Sequence, residues 1–232
     1  LVGPSFEVCH GILERPDGTW LAPTSTWRGW DGYAPNGMRA VALVSRDRGR
    51  TWPEYLGVMG EPSDGLIYWE QSVTPLADGR LLAVAWVFDE AAGKSLPNRF
   101  ALCADGRTFC PPRENGLRGQ TAKLVTLHDG RVLCLYRRED RPGLWAHLAT
   151  IEGDRWVGLA EAPVWQGAGA GMSGREAAGE ELSGLKFGYP SMGQLPGGDV
   201  LAVFWCVEHC VHNIRWTRIR IGEAGTASGV VP

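Results

Sequence analysis

One unit recurs four times along the chain and restricts it to very few architectures. An apolar run, a turn at or beside Asp-Gly and a second apolar run occur at Ile12 to Ala22 around Asp17-Gly18 and at Thr74 to Ala83 around Asp78-Gly79. They occur again at Val125 to Cys134 around Asp129-Gly130 and at Gly193 to Ala202 around Gly197-Gly198-Asp199. Asp-Gly between apolar runs is a strong short-range hairpin signal, because Asp bonds its own backbone and Gly accepts positive φ. The turn glycines Gly18, Gly79, Gly130 and Gly198 lie 61, 51 and 68 residues apart. A third apolar run follows each hairpin, at 38–44, 99–103, 144–151 and 214–221. A period of this size, built only of short reversed strands, predicts a repeat architecture in which each copy is one small antiparallel sheet. The 32 glycines and 11 tryptophans agree, since many tight turns need glycine and many short strands need large plugs. No helix of normal length is expected. Residues 166–184, rich in Gly, Ala and Glu, read as a surface loop with at most one helical turn near Arg175–Ala178.

After the first hairpin stands Ser45-Arg46-Asp47-Arg48-Gly49-Arg50-Thr51-Trp52. It follows the strand Ala40 to Val44, turns at Asp47 and Gly49, and delivers Trp52 to the next strand. This Ser-x-Asp-x-Gly-x-Thr-Trp pattern resembles the Asp-box of bacterial neuraminidase repeats, found in sialidase-type β-propellers. It persists in part as Ala104-Asp105-Gly106-Arg107-Thr108-Phe109 and weakly as Gly153-Asp154-Arg155-Trp156. The resemblance implies an all-β fold, a β-propeller of the six-bladed sialidase type. About four four-stranded antiparallel blades are then present, at roughly 1–60, 61–115, 116–165 and 185–225, all in one propeller domain over 1–232. Four blades leave a ring open, so up to two more are expected on the N-terminal side. The start at Leu1, without Met or a signal-peptide pattern, reads as internal.

Bulk properties exclude several function classes. The net charge of −3 gives no basic footprint for nucleic acid. No apolar run is long enough to span a membrane, so a soluble chain of unknown compartment is expected. Six cysteines are too dilute for a disulfide scaffold. Cys9, Cys134 and Cys206 read as buried thiols, and Cys103 and Cys110 flank a turn where an oxidising compartment would allow pairing. Cys206, His209, Cys210 and His212 are compact, but their spacing fits no common zinc module, and no metal or other cofactor is assigned. His10 and His147 read as structural.

Two sets of positions, counted from the turn glycines, line the centre of such a repeat. Nine residues before stand Cys9, Glu70, Thr121 and Tyr189; seven after stand Ser25, Trp86, Arg137 and Trp205. Carboxylates, guanidinium groups and rings together suit a sugar pocket. Phe187-Gly188-Tyr189-Pro190-Ser191 resembles the segment carrying the sialidase Tyr nucleophile. Tyr68-Trp69-Glu70-Gln71-Ser72 resembles the segment of the activating Glu, and Leu133-Cys134-Leu135-Tyr136-Arg137 one ending in an arginine that grips the substrate carboxylate. The resemblance therefore implies Tyr189 as nucleophile, Glu70 as its base and Asp31, in Trp27-Arg28-Gly29-Trp30-Asp31-Gly32, as stand-in for the catalytic acid. It also implies substrate contacts from Arg137, Arg138, Arg28, Trp69, Gln120, Trp86 and Trp205. A neutral phenol suits an anionic sugar, whose carboxylate would repel a carboxylate nucleophile. Departures are plain: the family's Arg-Ile-Pro strand is absent, and Trp86 fills a slot where an arginine would belong. Arg137 and Arg138 are adjacent, so one faces inward and strand register decides which. Trp27, Trp30, Trp86 and Trp205 have a second reading as rings buried between sheets. The expected activity is removal of terminal sialic acid or a related acidic sugar from glycans; the alternative is a non-catalytic propeller that binds glycans or proteins.

Overall fold

The computed structural model describes residues 6–8, 11–141, 143–166 and 186–222. Cys9, His10, the Arg175–Ala178 turn and nearly all of the 166–184 loop lie outside them. Among the described residues every regular element is a strand. The strands form four antiparallel sheets in chain order. The first holds β1 (Phe6–Val8) and β2 (Leu13–Glu14), both on β3 (Trp20–Thr26), then β4 (Ala40–Ser45) and β5 (Glu54–Met59). The second runs β6 (Leu66–Pro75), β7 (Leu81–Asp89), β8 (Lys94–Cys103) and β9 (Arg113–Glu114). The third runs β10 (Gly119–Thr126), β11 (Val132–Arg138), β12 (Gly143–Glu152) and β13 (Arg155–Trp165). The fourth has β14 (Phe187–Gln194), β15 (Val200–Glu208) and β16 (Val211–Ile219), three strands among the described residues. The chain divides into two compact units, Leu1–Leu117 with the first two sheets and Arg118–Pro232 with the last two.

The four hairpins share one turn geometry. The amides of Gly18, Gly79, Gly130 and Gly198 donate to the carbonyls of Arg15, Leu76, Leu127 and Leu195, at 2.9–3.0 Å. All four glycines have φ between 79° and 91°, the left-handed region a side chain resists. Asp17, Asp78 and Asp129 accept from the amide two residues on, which fixes the turn. In the fourth turn Gly197 stands in that place.

Cores form where sheets meet within each unit. In the first, Leu21, Ala40, Ala42 and Val44 pack on Tyr68, Leu81, Ala83, Ala85 and Val87. In the second, Leu127, Leu133, Leu135 and Ala146 pack on Val200, Ala202 and Ile219. Strand β7 is buried from Leu81 to Phe88, which is why it reads as continuous apolar sequence rather than alternation.

The Ser45–Trp52 stretch closes on itself. Asp47 accepts from the Thr51 amide (2.9 Å), the Thr51 hydroxyl (2.6 Å) and the Ser45 hydroxyl (2.7 Å). Trp52 Nε1 donates to the Gly49 carbonyl at 3.1 Å. In the shortened copy Asp105 accepts from the amides of Arg107 and Thr108, and Cys103 Sγ takes the place of the serine hydroxyl at 3.4 Å. The Thr51 hydroxyl and amide bonds hold Asp47, and the Thr108 and Arg107 amide bonds hold Asp105, each down at about 2 from 3.8. A carboxylate depressed in the folded state stabilises above its unfolded pKa and loses that contribution as pH falls through the folded value. The chain is therefore expected to keep this contribution above about pH 4 and lose it towards pH 2. Acid titration followed by tryptophan fluorescence checks this: Asp47→Asn should have a flatter profile across that window than wild type.

Candidate active site

Each first strand carries an irregularity at corresponding places. In β6 the pairing steps from Tyr68↔Val87 to Gln71↔Ala85, so Trp69 and Glu70 together oppose Trp86. In β10 it steps from Gln120↔Arg137 to Lys123↔Leu135, so Thr121 and Ala122 oppose Tyr136. In β14 it steps from Gly188↔Trp205 to Ser191↔Val203, so Tyr189 and Pro190 oppose Phe204. These are β-bulges, two residues against one, which re-aim side chains at sheet rims. In the first sheet pairing breaks after Val8↔Thr24 and resumes at Leu13↔Leu21.

The registers correct the count from the turn glycines. The bulge in β6 sits one residue further from its turn than those in β10 and β14. Trp86 therefore corresponds to Tyr136 and Phe204, the buried aromatic rings opposite the bulges, and not to Arg137 and Trp205. Trp86 is 1 % exposed, stacks on Trp69 at 5.1 Å and donates from Nε1 to Ser95 Oγ at 3.2 Å. A ring so buried offers no face to a sugar, so its expected role as a substrate contact gives way to one in the core. The residue that corresponds to Arg137 and Trp205 is Val87.

In the second unit Gln120, Arg137 and Trp205 gather beside the β14 bulge that carries Tyr189, whereas Glu70 and Asp31, its expected base and acid, belong to the first unit. Tyr189 has φ of 47° and is 44 % exposed. A bulky non-glycine residue in that region costs on the order of 1–3 kcal/mol, a strain that concentrates at functional sites. Lys123 Nζ stands 4.6 Å from the centroid of the Tyr189 ring. Arg137, 2 % exposed, donates from Nε to Gln120 Oε1 at 3.0 Å and from Nη1 to the Phe187 carbonyl at 3.2 Å. A Cβ at residue 188 would lie 2.8 Å from Arg137 Nη1 and would push the guanidinium aside. Gln120 Nε2 in turn donates to Glu139 at 3.2 Å. Trp205, half-buried, stacks near His212 at 6.5 Å and flanks Gly188.

Register decides between the two arginines. Arg137 points toward β14, while Arg138 lies on the opposite face, paired with Glu161 and Asp140 and 4.7 Å over the Trp145 ring. Two carboxylates and a ring already occupy Arg138, so it belongs to a structural network rather than to Arg137's cluster. Tyr136 also donates to Glu161, and the hydroxyl's burial and this bond raise its pKa. Trp156 Nε1 donates to His147 Nε2, and burial lowers the pKa of that imidazole despite the opposing pull of Glu161.

The first unit carries a separate group. Glu70 lies in the β6 bulge next to Trp69, whose ring contacts Trp27 at 4.6 Å as well as Trp86. Arg28 is paired with Glu90 at 2.5 Å and lies against Met38 Sδ. Asp31 is on an exposed turn and accepts from the Tyr33 amide at 3.0 Å, with Trp30 fully exposed beside it. Among the described residues no group of His, Cys, Asp and Glu is arranged to hold a metal, and Cys103, Cys110, Cys134, Cys206 and Cys210 are free. His209 and Cys210 form the β15–β16 turn, with φ of 50° and 64°. Lys123 escaped the sequence reading. Its signal is register: only the bulge brings it to the face that Arg137 shares.

Four successive antiparallel sheets, three of them with a bulged first strand, belong to the β-propeller fold, each sheet being one blade. Solved structures agree. A protein of unknown function from Dyadobacter fermentans matches with TM-score 0.67 and 22 % identity, over 90 % of this chain and 52 % of the other. NanB sialidase from Streptococcus pneumoniae matches with TM-score 0.60 and 14 % identity, over 94 % and 31 %. An α-L-arabinanase from Penicillium chrysogenum matches with TM-score 0.59 and 14 % identity, over 90 % and 64 %. The chain thus spans about half the length of the Dyadobacter protein and less than a third of the sialidase. No family model and no curated protein matches its sequence.

Proposed function

We propose that the chain carries the site of a sialidase-like exo-glycoside hydrolase that removes terminal sialic acid or a related acidic sugar from glycans. The observation that carries this reading is Tyr189: a half-exposed phenol held in a left-handed bulge, with Lys123 over its ring and Arg137 fixed beside its backbone. An oxygen nucleophile among cations suits a substrate that is itself an anion. The resemblance of the Tyr189, Glu70 and Arg137 segments to sialidase segments supports the same chemistry, as do the sialidases among the structural neighbours.

In this mechanism Tyr189 Oη attacks the anomeric carbon and its proton passes to the Glu70 carboxylate. The glycosidic bond breaks, and the departing oxygen takes a proton from Asp31. Water then cleaves the glycosyl–tyrosine bond, its proton going to the Asp31 carboxylate while Glu70 returns its own to the tyrosine oxygen. Arg137 and Gln120 shape the wall behind the nucleophile, and Trp69, Trp205 and Arg28 are carried as outer contacts. The reading requires Glu70 within hydrogen-bond reach of Tyr189 Oη.

Hydrolysis of fluorogenic glycosides by the full-length protein tests it. The sialoside is expected to be cleaved in preference to uronides, neutral hexosides and an arabinofuranoside. Glu70→Gln should lower kcat by roughly 10²–10⁴-fold, the usual worth of a general base. Preference for the arabinofuranoside would replace the reading with a neutral-sugar hydrolase. Cleavage of none of them would leave a glycan-binding propeller.

A further inference from the structure

We propose that His147 and Trp156 form a pH-sensitive latch: their hydrogen bond ties the tip of the β12–β13 hairpin to its sheet at neutral pH and opens when the imidazole takes up a proton. This device is independent of the hydrolase reading.

A bulge gives the latch its place. Among the described residues β13 is the outer strand of its sheet, paired with β12 alone. The pairing steps from Leu148↔Ala160 to Ala149↔Gly158, so Leu159 is extra and stands 44 % exposed. Beyond it the ladder has four pairs, Ala149↔Gly158 to Glu152↔Arg155. His147 lies on the sheet side of this bulge and Trp156 on the tip side. The extra residue also decides the faces. Trp156 and Glu161 are five apart, a spacing that in a regular strand sends side chains to opposite faces. The bulge cancels that alternation, so both stand on the face of His147, which pairs with Glu161 across the strands. Gly158, between them, leaves room for the imidazole: a Cβ there would lie 2.9 Å from its Cε1. The two rings stack at 6.0 Å with an interplanar angle of 20°, and Trp156 Nε1 donates to His147 Nε2 at 3.3 Å.

The imidazole has two alternative partners. Its Nε2 accepts from an indole, which can only donate, so the neutral ring carries its proton on Nδ1. That nitrogen faces Glu161 Oε1 at 3.5 Å and makes no hydrogen bond there. A second proton can enter only at Nε2, where two N–H groups would then confront each other. The indole must let go, while the imidazolium gains the Glu161 carboxylate as a charged partner. Protonation therefore exchanges a bond across the bulge for one on the sheet side of it. Although burial opposes it, bonds from Tyr136 and Arg138 keep the Glu161 carboxyl below its ordinary range, so the partner is ionised. The other groups facing His147 are Arg138, whose charge opposes a second cation, and the Cys134 thiol and Tyr136 phenol, both kept neutral by burial. Burial lowers the pKa of His147 below the ordinary 6.5, against the pull of Glu161. The folded-state value lies below the unfolded one, so the latch is intact above about pH 6.5 and opens as pH falls below it.

The test is an NMR titration of the full-length protein from about pH 8 to about pH 4, across the range in which histidine changes charge. It follows the imidazole nitrogen shifts of His147 and the solvent exchange of the Trp156 indole proton. At the alkaline end the shifts should show the Nδ1–H tautomer and the indole proton should be protected. As His147 protonates, that protection should fall by roughly tenfold or more, with the same midpoint. Trp156→Phe keeps a ring and removes the donor, so the His147 midpoint should rise by about 0.5–1 pH unit, the worth of one neutral hydrogen bond. His147→Gln keeps an acceptor and removes the titration, so the indole proton should stay protected throughout. A near-ultraviolet spectrum like wild type's establishes that each variant is folded. Should Trp156→Phe misfold, the wild-type titration and His147→Gln decide the matter. An Nε2–H tautomer, indole protection that ignores the protonation of His147, or its loss in His147→Gln over the same range overturns the latch. So does a His147 midpoint unmoved in folded Trp156→Phe.

Discussion

On the proposed mechanism, replacing Tyr189 by phenylalanine is expected to lower kcat on the sialoside by about 10³-fold or more while leaving sugar binding and stability nearly unchanged. Only Oη is removed. The phenyl ring still fills the place 4.6 Å below the Lys123 ammonium and still requires φ near 47°. The side chain is half-exposed, so the stability change should stay within about 1 kcal/mol. Loss of a nucleophile removes the covalent route and leaves whatever binding and electrostatics provide, hence a large effect on kcat rather than KM. Single-turnover kinetics should show no burst in the variant, whereas wild type accumulates a glycosyl-enzyme if its second step is slow. Retention of kcat within tenfold by a folded Tyr189→Phe protein would remove tyrosine from the mechanism and pass the role of nucleophile to a carboxylate.

The propeller was legible because its signals are local. Gly18, Gly79, Gly130 and Gly198 must be small where φ is positive, and the Asp beside three of them bonds the turn from within. Such requirements are written into adjacent residues. The turn at 105–108 was legible for the same reason, although Cys103 in place of a serine left only the carboxylate visible. Tight turns also set the hairpin registers near the turn, before the bulges intervene.

The site was less legible because it depends on bulges. A bulge adds one residue without a compositional mark, and each added residue reverses which side chain faces where. Counting nine back from the turn glycine finds Thr121 and Tyr189, the first bulged residues of their strands, but in β6 it finds the second, Glu70. The same slip set Trp86 beside Arg137 and Trp205, although its counterparts are Tyr136 and Phe204. Arg137 and Arg138 were separable only by register, and nothing local in the sequence singles out Lys123. Pairings between strands far apart in sequence are what a linear reading lacks, and the geometry around Tyr189 consists of such pairings.

Trp86→Ala is expected to destabilise the protein by about 3–5 kcal/mol, the range for truncating a large buried aromatic residue. Domains are stable by only about 5–15 kcal/mol, so this is a large fraction of the total. Trp86 is 1 % exposed, its indole stacks at 5.1 Å with interplanar angle 16° on Trp69, and Trp69 leans on Trp27. Removing Trp86 from the end of that contact series leaves a cavity opposite the bulge that carries Glu70, and it deprives Ser95 Oγ of its indole donor. Urea unfolding measures the loss, and Trp205→Ala, at a half-buried ring, should lose less. The two roles for Trp86 give opposite patterns. A sugar platform would lose ligand affinity at nearly constant stability, whereas a core ring loses stability first and activity only as Glu70's bulge loosens. Trp86→Phe separates them further: it refills most of the cavity and should recover more than half of the lost stability, although a smaller ring without an N–H would serve a sugar face poorly.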